Sequence, residues 1–247
     1  MVHISRRDFI TTAFGLGANL LTHRATAQGG VALTREPYRM RGEINTGLQA
    51  TITSIRTSDP LVALTFDDGP HPSLTPQLLD ILADRNVKAT FYVVGRAVAH
   101  SPQIVRRMVE EGHEVGNHSW SHPVLSSWSQ VGILQEIDRT NQAVFDAAGV
   151  IPRTFRPPYG AFELHQRLSL INDRDMPTVL WSVDPEDWRL PGQQYITNFI
   201  LSNSTAGSII LTHDIHAPTV KSFPAILDGL IMHGYGFQKI STIAQIN

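Results

Sequence analysis

The sequence points to an α/β fold, a closed or nearly closed barrel of parallel strands, on three observations. Seven short runs rich in apolar, β-branched or aromatic residues alternate with six segments of helical period, and alternation of this kind builds parallel strands joined by helical crossovers. The chain of 247 residues, with 42% hydrophobic and 17% charged residues, is long enough for one large core and has the size at which α/β barrels form a single domain. Ionisable residues follow the strand-like runs at five places, and the C-terminal ends of strands are where a parallel barrel gathers its functional loops.

The first run, LVALTF (61–66), is closed by a Gly69-Pro70 turn and followed by a helical segment over Leu74–Arg85. ATFYVV (89–94) leads to Gln103–Glu111, and HEVGNH (113–118) to Trp128–Ala147. RTFRPP (153–158) precedes Glu163–Asn172, PTVLWSV (177–183) precedes Tyr195–Ser202, and GSIILTH (207–213) precedes Val220–His233; GFQKIS (236–241) ends the series. Each run has the length and the β-branched or aromatic content of a strand. No internal repeat or low-complexity tract interrupts them.

The first residues stand outside this pattern. Ser5-Arg6-Arg7-Asp8-Phe9-Ile10 supplies paired arginines, Thr11 to Thr22 is mildly apolar, and Ala25-Thr26-Ala27 offers small cleavage positions. That order resembles a twin-arginine export signal over residues 1–27, which implies the twin-arginine export machinery as a partner and a periplasmic or secreted product. The apolar run is too short to cross a hydrocarbon layer of about 30 Å as a helix, so no permanent membrane anchor is expected. Residues 28–60 form a weakly patterned lead-in, and the patterned domain runs over 61–247. A formal net charge of −2 without long charge runs argues against nucleic acid as a partner. With no cysteine in the chain, any metal must be held by histidine and carboxylate.

The ionisable strand ends are Asp67 and Asp68, His118 and His122, Arg156 and Tyr159, Asp184 and Asp187, and His213 and Asp214. Two adjacent carboxylates repel each other and resist burial, so Asp67 and Asp68 form either a solvated turn or a site. In NHSWSHP, His118 and His122 are four residues apart, a spacing that can bring two imidazoles onto one ion. Two imidazoles and one carboxylate leave coordination positions open for water and substrate, and Asp68 is the natural third ligand. Asp67, one residue earlier, can then lie beside a metal-bound water as a general base. The Gly69-Pro70 turn takes the backbone sharply out of the site.

With these residues in place, the chain is similar to the polysaccharide deacetylase (NodB homology) family, carbohydrate esterase family 4. The likeness runs from about Leu61 to Ile240, and five motifs occur in order: TFDDGP (65–70), HSWSH (118–122), RPPYG (156–160), DPEDW (184–188) and LTHD (211–214). The resemblance implies a distorted (β/α) barrel with about seven parallel strands and a catalytic domain over 61–247. It implies Asp67 as base and Asp68, His118 and His122 as ligands of one divalent ion, zinc by default, with Co²⁺, Ni²⁺ or Mn²⁺ as alternatives. It further implies Arg156 as the partner of Asp67, the Tyr159 backbone N–H as an oxyanion donor, and His213 as general acid. Asp187 would orient His213, with Asp184 as runner-up, and Trp188 and Leu211 would receive the acetyl methyl. His71, His100, His113, His165, His216 and His233 are structural or surface residues on this reading; His216 is close enough to His213 in the sequence to line the cleft but has no role.

The implied reaction is removal of N-acetyl groups from an amino-sugar polymer, peptidoglycan or a chitin-type oligosaccharide. An O-acetyl esterase acting on xylan or another acetylated polysaccharide is the close alternative. A glycoside hydrolase fits less well, because adjacent carboxylates on one turn are poorly placed to flank a bond at separations of roughly 5–9.5 Å. A carbohydrate-binding protein that has lost catalysis is disfavoured by the intact base, ligands and acid.

Overall fold

The computed structural model describes residues 50–246. The export signal read over residues 1–27, and the lead-in as far as residue 49, lie outside the described residues. Among the described residues the strands are β1 (Thr51–Ile52), β2 (Leu61–Asp67), β3 (Thr90–Val93), β4 (Glu114–Asn117), β5 (Thr178–Val179), β6 (Ile209–His213) and β7 (Gly236–Phe237). The helices are α1 (Leu74–Ala83), α2 (Gly95–His100), α3 (Pro102–Glu110), α4 (Gln130–Ala148), α5 (Leu164–Arg174), α6 (Gln193–Asn203), α7 (Ala217–Met232) and α8 (Ile240–Ile243).

β2 is the hub of the sheet. Every residue after Leu61 is buried, as a near-continuous apolar run requires when both faces of a parallel strand are covered. The order β4-β3-β2-β6 is parallel throughout; β7 pairs the first two residues of β2, and β1 pairs β5. The period of two sorts β2 by face. Val62, Leu64 and Phe66 enter the main core, together with Leu78, Leu82, Phe223 and Leu227 of α1 and α7. Ala63 points the other way, into a smaller cluster with Ile52, Tyr92, Val179, Ile209 and Ile240. Thr65 and Asp67 share the face of Ala63, so the strand's last inward residue is a carboxylate.

Between β4 and β6 the barrel is irregular. The run RTFRPP forms no strand: Phe155 alone bridges Asn117 on one side and Thr178 on the other. Pro157 and Pro158 lack the N–H a ladder needs, which stops the run after one residue. The run PTVLWSV is divided into β5 and a single bridge from Val183 to Ile210, and GFQKIS contributes only Gly236–Phe237. The parallel ladder therefore passes from β4 back to β6 through isolated bridges, which is the distortion of this α/β barrel. β1 is a strand that the weakly patterned stretch before residue 61 gave no sign of.

The helices stand close to the periodic segments, with local reasons for their ends. Ser129 caps α4 by accepting the Gly132 N–H, and α4 stops at Gly149 in the left-handed region, φ 71°. A reciprocal capping box of Glu163 and Gln166 starts α5. α7 begins earlier than the periodicity indicated because Pro218 sits in its first turn, where a missing N–H does no harm. α2, only six residues long, is too short to show a period. No helix among the described residues is long and apolar enough to cross a membrane.

Candidate metal centre and active site

The five strand ends singled out above meet on one face. Asp67 ends β2, and its register partners are His213 on β6 and Tyr92 on β3. Asp68 follows with φ 77°, in the left-handed region. That break in the alternation lets two adjacent carboxylates face one site instead of opposite faces of the sheet.

His118 leaves the end of β4, and His122 follows at φ 59° after Ser119 at φ 67°. The Ser119 N–H is taken by the Asn117 side chain at 2.8 Å, and the His122 N–H by Ser119 Oγ at 3.0 Å. Glu136 of α4 holds the Ser121 N–H at 2.8 Å. The loop is thus folded by its own polar residues into a shape that brings both imidazoles inward. His118 Nε2 lies 3.4 Å and His122 Nε2 3.1 Å from Asp68 Oδ1, and one ligand atom of each of the three residues falls within 4.8 Å of the others.

The donor chemistry of the cluster indicates what it could hold. His118 Nδ1 donates to the carbonyl of Arg156 at 2.7 Å, since a carbonyl only accepts. In the neutral ring the lone pair is then on Nε2, facing Asp68. Asp68 Oδ1 is buried and has no hydrogen-bond partner. Burial alone would raise the Asp68 carboxyl; the imidazoles of His118 and His122 outweigh it and hold the group well below the usual carboxylate range. With both rings neutral the three side chains present two nitrogen lone pairs and one carboxylate oxygen to the same place, an N, N, O donor set that suits a divalent transition metal. The Nδ1 bond to a backbone carbonyl is the support that orients metal-ligating histidines.

Asp67 lies beside this cluster, its Oδ2 3.7 Å from His118 Nε2. Its other oxygen accepts from Arg156 Nη1 at 2.8 Å. Arg156 is fully buried, and four of its five N–H groups are bonded: Nη1 also donates to Thr65 Oγ1 at 2.7 Å, Nη2 to the Leu180 carbonyl at 2.9 Å and Nε to the Val179 carbonyl at 3.2 Å. Its plane lies over the Tyr92 ring, 4.2 Å from the centroid. Such a cation is fixed in place, and it fixes Asp67.

On the far side, His213 Nδ1 bonds Asp187 Oδ1 at 2.7 Å, and Asp187 Oδ2 accepts the His213 N–H at 2.9 Å and the Thr219 hydroxyl at 2.7 Å. Burial alone would lower His213; the bond and charge of fully buried Asp187, helped by Asp67 and Asp68, raise it to about 9. Asp184 is not that partner: its Oδ1 accepts the Glu186 N–H, and burial raises it. Trp188, beside Asp187, is half-exposed with Arg189 stacked 4.6 Å from its ring centre. Leu211 is buried on β6, two residues before His213. Tyr159 is 66% exposed at φ 59°, with its ring edge-on to His122 at 4.7 Å. His216 flanks His213, their ring centroids 5.9 Å apart.

Of the predicted site residues, Asp67, Asp68, His118, His122 and Arg156 form one connected cluster, Tyr159 packs on His122, and the His213–Asp187 pair adjoins it through the register of Asp67 with His213; Trp188 and Leu211 stand next to this group in the chain. Thr65, Thr219, Asn117 and Glu136 support them and were not singled out by sequence; a hydroxyl within an otherwise apolar strand was the one available sign of Thr65. Backbone strain marks the same place. Of the nine non-glycine residues with positive φ among the described residues, six (Asp68, Ser119, His122, Tyr159, Glu186 and Leu190) lie in these loops, and such conformations persist only where the surroundings impose them.

A cation site with a carboxylate–arginine pair on one side and a carboxylate–histidine pair on the other, set on a parallel barrel, defines a class of site able to hold an ion, accept a proton and return one. The comparisons identify the family. The polysaccharide deacetylase family model matches residues 54–174. A chitooligosaccharide deacetylase of Sinorhizobium fredii is 41% identical over 165 residues, covering 66% of this chain and 76% of that protein. The peptidoglycan-N-acetylglucosamine deacetylase PgdA of Listeria monocytogenes is 44% identical over 74% of this chain, which spans only 38% of the Listeria protein's length. Among solved structures, the Bc1960 peptidoglycan N-acetylglucosamine deacetylase superposes with a TM-score of 0.77 at 35% identity, covering 80% of this chain and 94% of that one. The chain belongs to the polysaccharide deacetylase (NodB homology) family.

Proposed function

We propose that this protein removes N-acetyl groups from an amino-sugar polymer, peptidoglycan or a chitin-type oligosaccharide, with one divalent ion held by Asp68, His118 and His122. Zinc is the ion we assign first, with Co²⁺, Ni²⁺ and Mn²⁺ compatible with the same donors. The observation that carries the reading is the convergence of Asp68, His118 and His122 lone pairs on one point, with Asp67 and His213 at partner positions of neighbouring strands. The names of the relatives support the substrate class: those of Listeria and Sinorhizobium and the superposed Bc1960 are deacetylases of peptidoglycan or chitooligosaccharide.

The ion, when bound, supplies a Lewis acid for the acetamide carbonyl and for water. Asp67 accepts the proton of the attacking water, and Arg156 keeps its carboxylate aimed by occupying the other oxygen. The backbone N–H of Tyr159 faces the developing oxyanion. His213, held charged by Asp187, returns a proton to the departing amine nitrogen. Trp188 and Leu211 bound the space for the acetyl methyl. With the signal over residues 1–27, the enzyme would be exported through the twin-arginine machinery and meet its glycan outside the cytoplasm.

Acetate release from defined glycans tests this. Metal-replete protein is expected to release acetate from N-acetylglucosamine oligomers or peptidoglycan fragments and to stop on chelation. No acetate from any amino sugar, with release from acetylated xylan instead, would transfer the assignment to O-acetyl ester cleavage; none from either would refute it.

A further inference from the structure

Asp214 is the one fully buried carboxyl at the mouth of the barrel to which the proposed reaction gives no work. It follows His213 directly, is 0% exposed, and its Oδ1 has no hydrogen-bond partner. Burial pushes it up to about 7, with the neighbouring Asp68 carboxylate adding to the rise and the Thr75 bond opposing it. A carboxyl in such a place is costly unless something requires it there.

Its side chain meets the turn that follows Asp68 and the start of α1. The fully buried Thr75, in the first turn of α1, donates its hydroxyl to Asp214 Oδ2. The same Thr75 oxygen accepts the His71 N–H at 2.7 Å, and the His71 ring accepts the Leu74 N–H at 3.1 Å, capping α1. A Cβ on Gly69 would collide with the Asp214 carboxyl, so the backbone one residue after Asp68 rests on it. The Gly69 carbonyl in turn takes the Val94 N–H at the end of β3, at 3.0 Å. Asp214 thus couples the end of β6, which carries His213, to the turn carrying Asp67 and Asp68.

We propose that Asp214 is a positioning residue for the metal centre, acting through Thr75 and Gly69 to seat the 68–75 turn so that Asp68 reaches His118 and His122. The inference rests on the reading of those three residues as metal ligands. The two bonds of the Thr75 hydroxyl explain why this position is an alcohol: valine fits the space but leaves both the Asp214 oxygen and the His71 N–H without a partner.

The test is zinc affinity, by competition with a chromophoric chelator, alongside kcat and KM for acetate release, in the full chain. Thr75→Val is expected to weaken zinc binding about tenfold and to lower kcat about tenfold at nearly constant KM, the lower end of what supporting residues of metal sites give. Thr75→Ser, which keeps the hydroxyl, is expected to return both to within about twofold of wild type. Asp214→Ala is expected to lose at least as much as Thr75→Val; if it does not fold, the threonine pair decides. A Thr75→Val protein that melts earlier but binds zinc and turns over like wild type would overturn the inference and leave the ligand set intact. Wild type that binds no zinc would overturn the ligand reading itself, and the inference with it.

Discussion

Two histidines at opposite ends of the barrel, His113 buried and His213 partly so, are driven to opposite charge states by one fold. His113 stands at the entry to β4, where its Nδ1 accepts the Ala89 N–H at 3.1 Å. Its Nε2 has no hydrogen-bond partner, a Glu111 oxygen lying 3.9 Å away, too far for one. Burial, with Lys88, Lys239 and Arg107 adding to it, lowers His113 to about 4. His213 stands at the exit of β6, and burial presses it the same way, yet it ends at about 9 because Asp187 holds its Nδ1 at 2.7 Å. Burial alone therefore does not decide a histidine's charge; a carboxylate delivered by another strand end does. At one end the imidazole is a neutral acceptor at the entry to two strands, and at the other it carries a proton shared with a carboxylate.

The largest expected effect of disturbing this contrast is at His213. His213→Ala is expected to lower amide cleavage by about 10²–10⁴-fold, the usual range for a general acid, and ester cleavage much less, because an alcohol leaves more readily than an amine. His113→Asn is expected to leave kcat within about twofold, since His113 donates to no reacting group. Equal losses on ester and amide would show that His213 is not the acid.

Next in size is the carboxylate that sets the charge. Asp187→Asn removes the anion but keeps the shape, and should lower kcat by about 10–100-fold. It should also move the alkaline limb of the pH–rate profile downward from near 9, the value Asp187 imposes. A bound cation shifts both proteins in the same direction and leaves the sign of the difference unchanged. A limb that stays in place would mean that another group titrates there.

A further effect falls on stability, and its sign separates the two histidines. The folded-state value of His113, about 4, lies below the 6.5 of an unperturbed imidazole, so between these values the unfolded chain binds the extra proton. Stability is then lost as pH falls from 6.5 toward 4, by up to about 3 kcal/mol. His213 has the reverse sign: its contribution is complete below 6.5 and fades as pH rises through about 9. Urea unfolding at a series of pH values should show a flatter acid side in His113→Asn and a flatter alkaline side in Asp187→Asn.

Much of this was legible in the sequence, for identifiable reasons. The hub strand β2 is a continuous apolar run because both of its faces are buried, and the candidate ligands are legible because few residue types bind metal and His118 and His122 are close in sequence. The irregular arc around Phe155 was not, although its prolines signalled that the ladder would fail there. β1 was invisible because two residues in a polar stretch carry no period. The left-handed conformations of Asp68, His122 and Tyr159 fall on residues other than glycine, so only tertiary contacts impose them. Which of Asp184 and Asp187 meets His213 depends on a tight turn after residue 186, and the direction of the Asp214 carboxyl depends on Gly69 and Thr75, far away in the chain.

The most direct measurement is acetate release from an N-acetylglucosamine oligomer by chelator-stripped protein titrated with zinc. The account expects activity to rise from baseline and level off at about one equivalent of zinc per chain, as a single three-ligand site requires, with no rise in His122→Ala. Acetate release that is full in the stripped protein, or equal in wild type and His122→Ala, would contradict it.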